Sequence, residues 1–229
     1  MPALVWDQVG ERYYETGVDH GVLYIPDATG IYASGVAWNG LTTVTETPSG
    51  AESNAQYADN IKYLNLISAE EFGATVEAFT YPDEFAEFDG LGVPDAGVVL
   101  GQQPRKMFGL SYRTRYGNDV AGEEYGYKLH LVYGCIASPS ERAYNTINDS
   151  PEAIAFSWTV STTPVPVTGY KPTSLIVVSS ATADPAGLTA LEQALYGDVV
   201  GDAHLPTPDE VIAMFPGGAA MAVQDTVVE

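Results

Sequence analysis

Tyr125-Gly126-Tyr127-Lys128-Leu129-His130-Leu131-Val132-Tyr133-Gly134-Cys135-Ile136-Ala137 is the stretch that decides the fold class. In an extended chain, Tyr127, Leu129, Leu131 and Tyr133 fall on one side and Lys128 and His130 on the other, a period of two that predicts a strand. Upstream, residues 107–116 read the same way, with Arg113 and Arg115 alternating with Tyr112 and Thr114, and residues 117–122 supply the turn between the two. Further out, residues 152–163 carry Ile154, Phe156, Trp158 and Val160 on one face. Residues 72–81 place Thr75, Glu77 and Phe79 opposite Ala74, Val76 and Ala78. Shorter strands are predicted at 21–26, 31–38, 41–47, 61–68 and 174–179. Asn39-Gly40, between two such runs, predicts a hairpin joining 31–38 to 41–47.

The intervening segments are assigned by turn chemistry. Residues 1–20 read as an arm, 90–104 as a loop and 138–150 as a connector. Residues 48–60, made mostly of Ser, Gly, Asn, Asp and Ala, read as a long loop of the kind that is usually functional or disordered. Residues 82–88 predict one or two helical turns. Asp184 caps a helix with Pro185 at its first position, Gly197 past its end, and Leu188, Leu191 and Leu195 on one face. Thr207 and Glu210 form a capping box for a second helix over 207–215, and residues from about 216 to 229 read as a mobile tail. The expected fold is mainly β: one domain over 1–229, an antiparallel β-sandwich or partly closed barrel with one or two short flanking helices.

Thirty acids face nine bases, for a formal charge of −21. Such a surface repels nucleic-acid phosphates and anionic membranes, so specific DNA binding and membrane association are not expected. A solvated surface kept for solubility, or a saline habitat, gives the same excess. Fifteen tyrosines suit half-buried strand surfaces and interfaces. Cys135, the only cysteine, excludes an intrachain disulfide and reads as a core thiol. No apolar run reaches membrane-spanning length and no secretory signal is visible, so the chain is expected to stay in the cytoplasm or to leave inside a particle.

Catalytic patterns are missing. Neither Gly-x-Ser-x-Gly nor Gly-x-x-x-x-Gly-Lys occurs, and His20, His130 and His204 share no ligand spacing. Glu70-Glu71, the Asp83-Glu84-Glu87-Asp89 group and Glu123-Glu124 are the places where paired carboxylates for sugar hydrolysis, or calcium ligands, would be sought. In so acidic a chain such pairs arise by chance, and helix N-terminal charge accounts for Asp83 and Glu84. No enzyme activity, cofactor or metal is expected.

Four stretches, in this order and spacing, resemble the major tail proteins of long-tailed, non-contractile bacteriophages. They are Gly21-Val22-Leu23-Tyr24 leading to Gly35-Val36-Ala37-Trp38-Asn39-Gly40-Leu41-Thr42-Thr43-Val44-Thr45-Glu46; Ala58-Asp59-Asn60-Ile61-Lys62-Tyr63-Leu64 continuing through Glu71-Phe72-Gly73-Ala74-Thr75-Val76-Glu77-Ala78-Phe79-Thr80-Tyr81-Pro82-Asp83-Glu84-Phe85; Gly126 to Gly134; and Ser150-Pro151-Glu152-Ala153-Ile154 with Trp158 and Thr162-Thr163-Pro164. The resemblance spans residues 12–180. It implies a structural virion protein, made in the host cytoplasm, whose copies form stacked and usually hexameric rings around a tape-measure protein. It further implies contacts with tail-tip and tail-terminator proteins, and passage of double-stranded DNA without specific binding. It places inter-ring contacts in the segment 45–59, hence on Glu46, Ser49, Glu52, Asn54, Tyr57 and Asp59. An acidic lumen is expected from the charge, with Glu77 as the lumen-facing candidate. The alternatives are another β-sandwich virion or shell component, or an acidic carbohydrate-binding module; free rings or tubes distinguish the first group from a glycan-binding monomer.

Overall fold

The computed structural model describes residues 3–95, 97–147, 149, 153–199 and 201–216. The predicted tail lies outside them except for Pro216. The chain forms β1 (Tyr13–Ile25), β2 (Ser34–Trp38), β3 (Leu41–Glu46), β4 (Ser49–Gly50), β5 (Ser53–Ala58), β6 (Ile61–Ile67), β7 (Glu70–Glu71) and β8 (Gly73–Ala78). A 3-10 turn (Asp83–Glu87) leads to β9 (Gly92–Asp95), β10 (Val98–Leu100), β11 (Phe108–Asn118) and β12 (Gly122–Ala137). Then come β13 (Phe156–Thr162), β14 (Val165–Val167), β15 (Tyr170–Thr173), β16 (Leu175–Ser179), α1 (Pro185–Tyr196) and α2 (Pro208–Met214).

The main sheet has eight strands in the order β2-β1-β11-β12-β13-β8-β3, with β16 also on β12. All of its pairings are antiparallel, as expected from the sequence. Strand β12 is the hub, pairing with β11, β13 and β16. Its middle pairs with β16 (Lys128↔Ser179 to Val132↔Leu175), and its last residues pair with β13 (Cys135↔Thr162 to Ala137↔Val160).

The switch between these partners occurs at a bulge. Phe108 pairs with Cys135 and Leu110 with Val132, so β12 carries one extra residue there. Gly134 sits in the bulge at φ +62°, and a Cβ on it would lie 2.2 Å from the Thr163 carbonyl oxygen. The extra residue turns both Val132 and Cys135 toward the interior and Tyr133 toward the helices.

Two expectations are corrected. β2 and β3 flank Asn39-Gly40 but do not pair; they are the opposite ends of the sheet. Gly40 instead accepts a hydrogen bond from Phe79 N at 2.9 Å. The sheet is therefore rolled until its two ends meet at this corner, without the hydrogen bonds that would close a barrel. The first strand also starts earlier than predicted, at Tyr13, so the arm shortens to the residues before it.

Two apolar layers result. Inside the roll, Trp158 is 1% exposed and packs edge-on to Trp38, Phe85 and Tyr81 at ring separations of 5.5, 5.3 and 5.4 Å, the geometry aromatic quadrupoles favour. Cys135 is fully buried here, and burial pushes its thiol well above the ordinary range. On the other face, Val22, Leu129, Leu131 and Tyr133 pack against Leu191, Leu195 and Val211 of the helices. The helices form as their caps predict: Asp184 accepts from Ala186 N and Gly187 N, and Thr207 and Glu210 complete the capping box. Tyr24 donates to the Leu195 carbonyl at 2.9 Å and Tyr133 to the Pro206 carbonyl at 2.9 Å, which ties the helical layer to the sheet.

Candidate assembly surfaces

Residues 47–72 leave the sheet between β3 and β8. The sequence reading made 48–60 a loop; it is instead the outgoing half of a long β-hairpin. At its root Thr47 N donates to Gly73 O at 2.7 Å, and β4 pairs with β7. Beyond it β5 pairs with β6, from Ser53↔Ile67 to Ala58↔Ile61. Asp59 and Asn60 form the tip at φ +51° and +65°, the left-handed pair that a two-residue hairpin turn needs. An extended hairpin of this length projects up to about 40 Å from the sheet.

This hairpin belongs to no larger sheet. An isolated two-stranded ribbon is marginal in water, and its outer edges present unpaired backbone groups. It also exposes Tyr57, Ile61, Tyr63, Leu64, Leu66 and Ile67, between 41% and 72%. Large apolar side chains clustered on a thin projection are unlike the scattered exposure of an ordinary surface.

The predicted contact residues divide accordingly. Ser49 lies in β4 opposite Glu71, Asn54 in β5 opposite Leu66 and Tyr57 opposite Lys62; Glu52 N bonds the Ser68 hydroxyl at the root; Asp59 is at the tip. Glu46 belongs elsewhere. It ends β3 and accepts from the Tyr112 hydroxyl at 2.7 Å, with His130 Nδ1 at 3.3 Å, inside ion-pair reach but out of line for a hydrogen bond. His130 is buried and stacked on Tyr112 at 4.6 Å. Burial lowers its pKa against the opposing pull of Glu46; the Tyr112 bond ties Glu46, and with it the hairpin root, to the rolled sheet. Glu77 is on β8, between Thr43 and Ser157 on the outward face, away from the hairpin. The returning strand was read only as a strand, so its five large apolar side chains were missed as surface. Asp59-Asn60, followed by Ile61, was the available signal.

Six of the nine cations pair with acids of the same chain. Arg105 and Arg142 both pair with buried Asp89, Lys106 with Glu87, Arg113 with Asp19, Arg115 with Glu123, and Lys128 with Glu15. Among the described residues Arg12, Lys62 and Lys171 carry no ion pair, and Arg12 donates instead to the Asp7 carbonyl at 3.0 Å. Arg113 holds Asp19 through Nε at 2.7 Å and Nη2 at 3.0 Å. This bond lowers the Asp19 pKa to about 2 against the effect of burial. A depressed carboxylate stabilises the fold above its unfolded pKa, and that stability is lost as pH falls through about 4 toward about 2. Asp19→Asn is therefore expected to cost about 2 kcal/mol at pH 7, with the difference from the parent chain closing near pH 2. Thermal melts of both proteins across that range check it.

Beside the hairpin root runs an apolar groove of about 1010 Å³, lined by Val167, Tyr170, Pro172, Leu175, Ile176 and Ile212 together with Lys171. It continues into a second hollow of about 760 Å³ that adds Ala51, Glu70 and Phe72. Among the described residues no group of three metal-ligating side chains occurs, and no helix is long and apolar enough to cross a membrane.

No family model and no curated protein matches the chain. Among solved structures, it is similar to a chain of the PVC sheath-tube complex of an extracellular contractile injection system in its extended state. The TM-score is 0.34 at 10% identity, over 70% of this chain and 88% of that one.

Proposed function

We propose that this protein is a non-catalytic structural subunit that assembles with copies of itself into stacked, hexameric rings, forming the tail tube of a long-tailed, non-contractile phage. The observation that carries the reading is the β5–β6 hairpin: an unsupported ribbon with six large apolar side chains in water. Its free energy is lowered when another surface covers it. In this reading the tube surrounds a tape-measure protein, meets tail-tip and terminator proteins at its ends, and later conducts DNA without binding it specifically. Glu77 would face the bore from a surface otherwise carrying Thr43, Thr75, Ser157 and Thr159, which offers hydroxyls and a negative charge but no cation to hold phosphates.

Sedimentation and negative-stain microscopy of the full chain test the reading. Rings or tubes are expected as concentration rises, alone or with tape-measure protein. A monomer at every concentration and salt, with or without that protein, overturns it. Hydrogen exchange adds a residue-level expectation: amides of 53–67 exchange fast in the free subunit and become protected in the assembly. Equal protection in both states removes the hairpin from the contact.

A further inference from the structure

We infer that the tip of the β5–β6 hairpin seats in the groove between β15, β16 and α2 of a second copy of this chain; the inference rests on the self-assembly reading above and names the two surfaces that meet. Three observations carry it. First, hairpin and groove are both apolar and both open. The ribbon presents Tyr57, Ile61 and Tyr63 near its tip, and the groove offers Val167, Tyr170, Pro172, Leu175 and Ile212. Second, the hairpin of the same copy does not fill the groove. Its root residues Ala51 and Glu70 line one end of the continuous hollow, and no residue of β5 or β6 lines either part of it. Third, the charges match. Six of the nine cations are spent on acids of the same chain. Two without an ion pair among the described residues fall on these two surfaces: Lys62 beside the tip and Lys171 in the groove. Each has an acid for a neighbour, Asp59 at the tip and Glu70 in the hollow. The tip thus carries one acid and one base and the groove carries one of each, so in this proposal Asp59 pairs with Lys171 and Lys62 with Glu70.

The two patches differ, so the contact is heterologous. Each copy gives a hairpin and receives one, which propagates into a closed ring or a continuing stack rather than stopping at a dimer.

The test uses the full-length chain. Lys171→Glu alone, or Asp59→Lys alone, is expected to raise the concentration at which assemblies form on the order of tenfold by placing like charges together; combining them restores assembly to within about threefold. Thermal melts of each variant establish that the subunit is folded. In parallel, Asp59→Cys with Lys171→Cys is oxidised after assembly. Because native Cys135 is fully buried, disulfide-linked multimers on a non-reducing gel report the engineered pair. Tubes that form without cross-links, and are indifferent to both charge reversals, overturn this pairing while leaving the self-assembly reading intact. A parent chain that never assembles overturns both.

Discussion

Replacing Gly134 with alanine is expected to destabilise the subunit by about 3–4 kcal/mol. Part of the cost is conformational: a φ of +62° costs a residue with a Cβ roughly 1–2 kcal/mol. The remainder is steric. The new Cβ would lie 2.2 Å from the Thr163 carbonyl oxygen and 3.1 Å from that residue's carbonyl carbon and nitrogen, all rigid backbone. Neither side retreats freely. Thr163 N donates to the Gly134 carbonyl at 3.0 Å, and Gly134 N donates to the Tyr32 hydroxyl at 2.9 Å, and each lost hydrogen bond adds about 1 kcal/mol. The bulge also sets which β12 residues face the aromatic interior and which face the helices, so relaxing it disturbs both layers. Gly169→Ala is the control. Its φ is +79° with nothing within 4 Å of the added Cβ, so only the conformational part, about 1 kcal/mol, applies. For a chain of this size the two variants are expected to differ by roughly 5–10 °C in melting temperature. Equal melting temperatures overturn the steric argument.

What was legible in the sequence follows from how local each determinant is. The two helices were readable nearly to the residue because a cap is settled within four positions: Asp184 with Pro185, and Thr207 with Glu210. Strands β8, β11, β12 and β13 were readable because one face of each is buried, so apolar residues alternate. Pairing partners were not. Asn39-Gly40 gives a tight turn, but whether its two strands pair depends on what else competes for their edges. Here β1 takes β2, β8 takes β3, and the turn becomes the corner where the rolled sheet meets itself. The β9–β10 ribbon within 90–104 was hidden by its Gly and Pro content. Strand β5, Ser-Asn-Ala-Gln-Tyr-Ala, has neither alternation nor β-branched residues. Its conformation comes from backbone bonds to β6, a contact between segments that the composition of 48–60 cannot report. The candidate residues divide for the same reason: Ser49, Glu52, Asn54, Tyr57 and Asp59 lie on the hairpin, whereas Glu46, just before it in sequence, ends β3 and is bonded to Tyr112.

Leu64→Asp combined with Leu66→Asp is expected to leave the free subunit folded and to abolish assembly. Both side chains lie on one face of β6, opposite Gln56 and Asn54, and are 41% and 57% exposed. Neither contributes to either buried layer, so the stability of the monomer should change by no more than about 0.5 kcal/mol per site, the usual range for surface positions. In an assembly that covers this face the balance is different. Burying each leucine contributes about 1.5–3 kcal/mol, and the variant forfeits both contributions while also having to desolvate two carboxylates. A loss of at least about 4 kcal/mol per contact corresponds to about a thousandfold rise in the concentration needed to assemble, repeated at every contact around a ring. Sedimentation velocity and negative-stain microscopy read the assembly side, and thermal melts read the monomer side. Tubes from the double variant at the concentration that suffices for the parent chain would remove this face from the interface. A monomer that melts far below the parent would mean instead that the leucines are held within their own subunit, and the hairpin would lose its standing as a free surface.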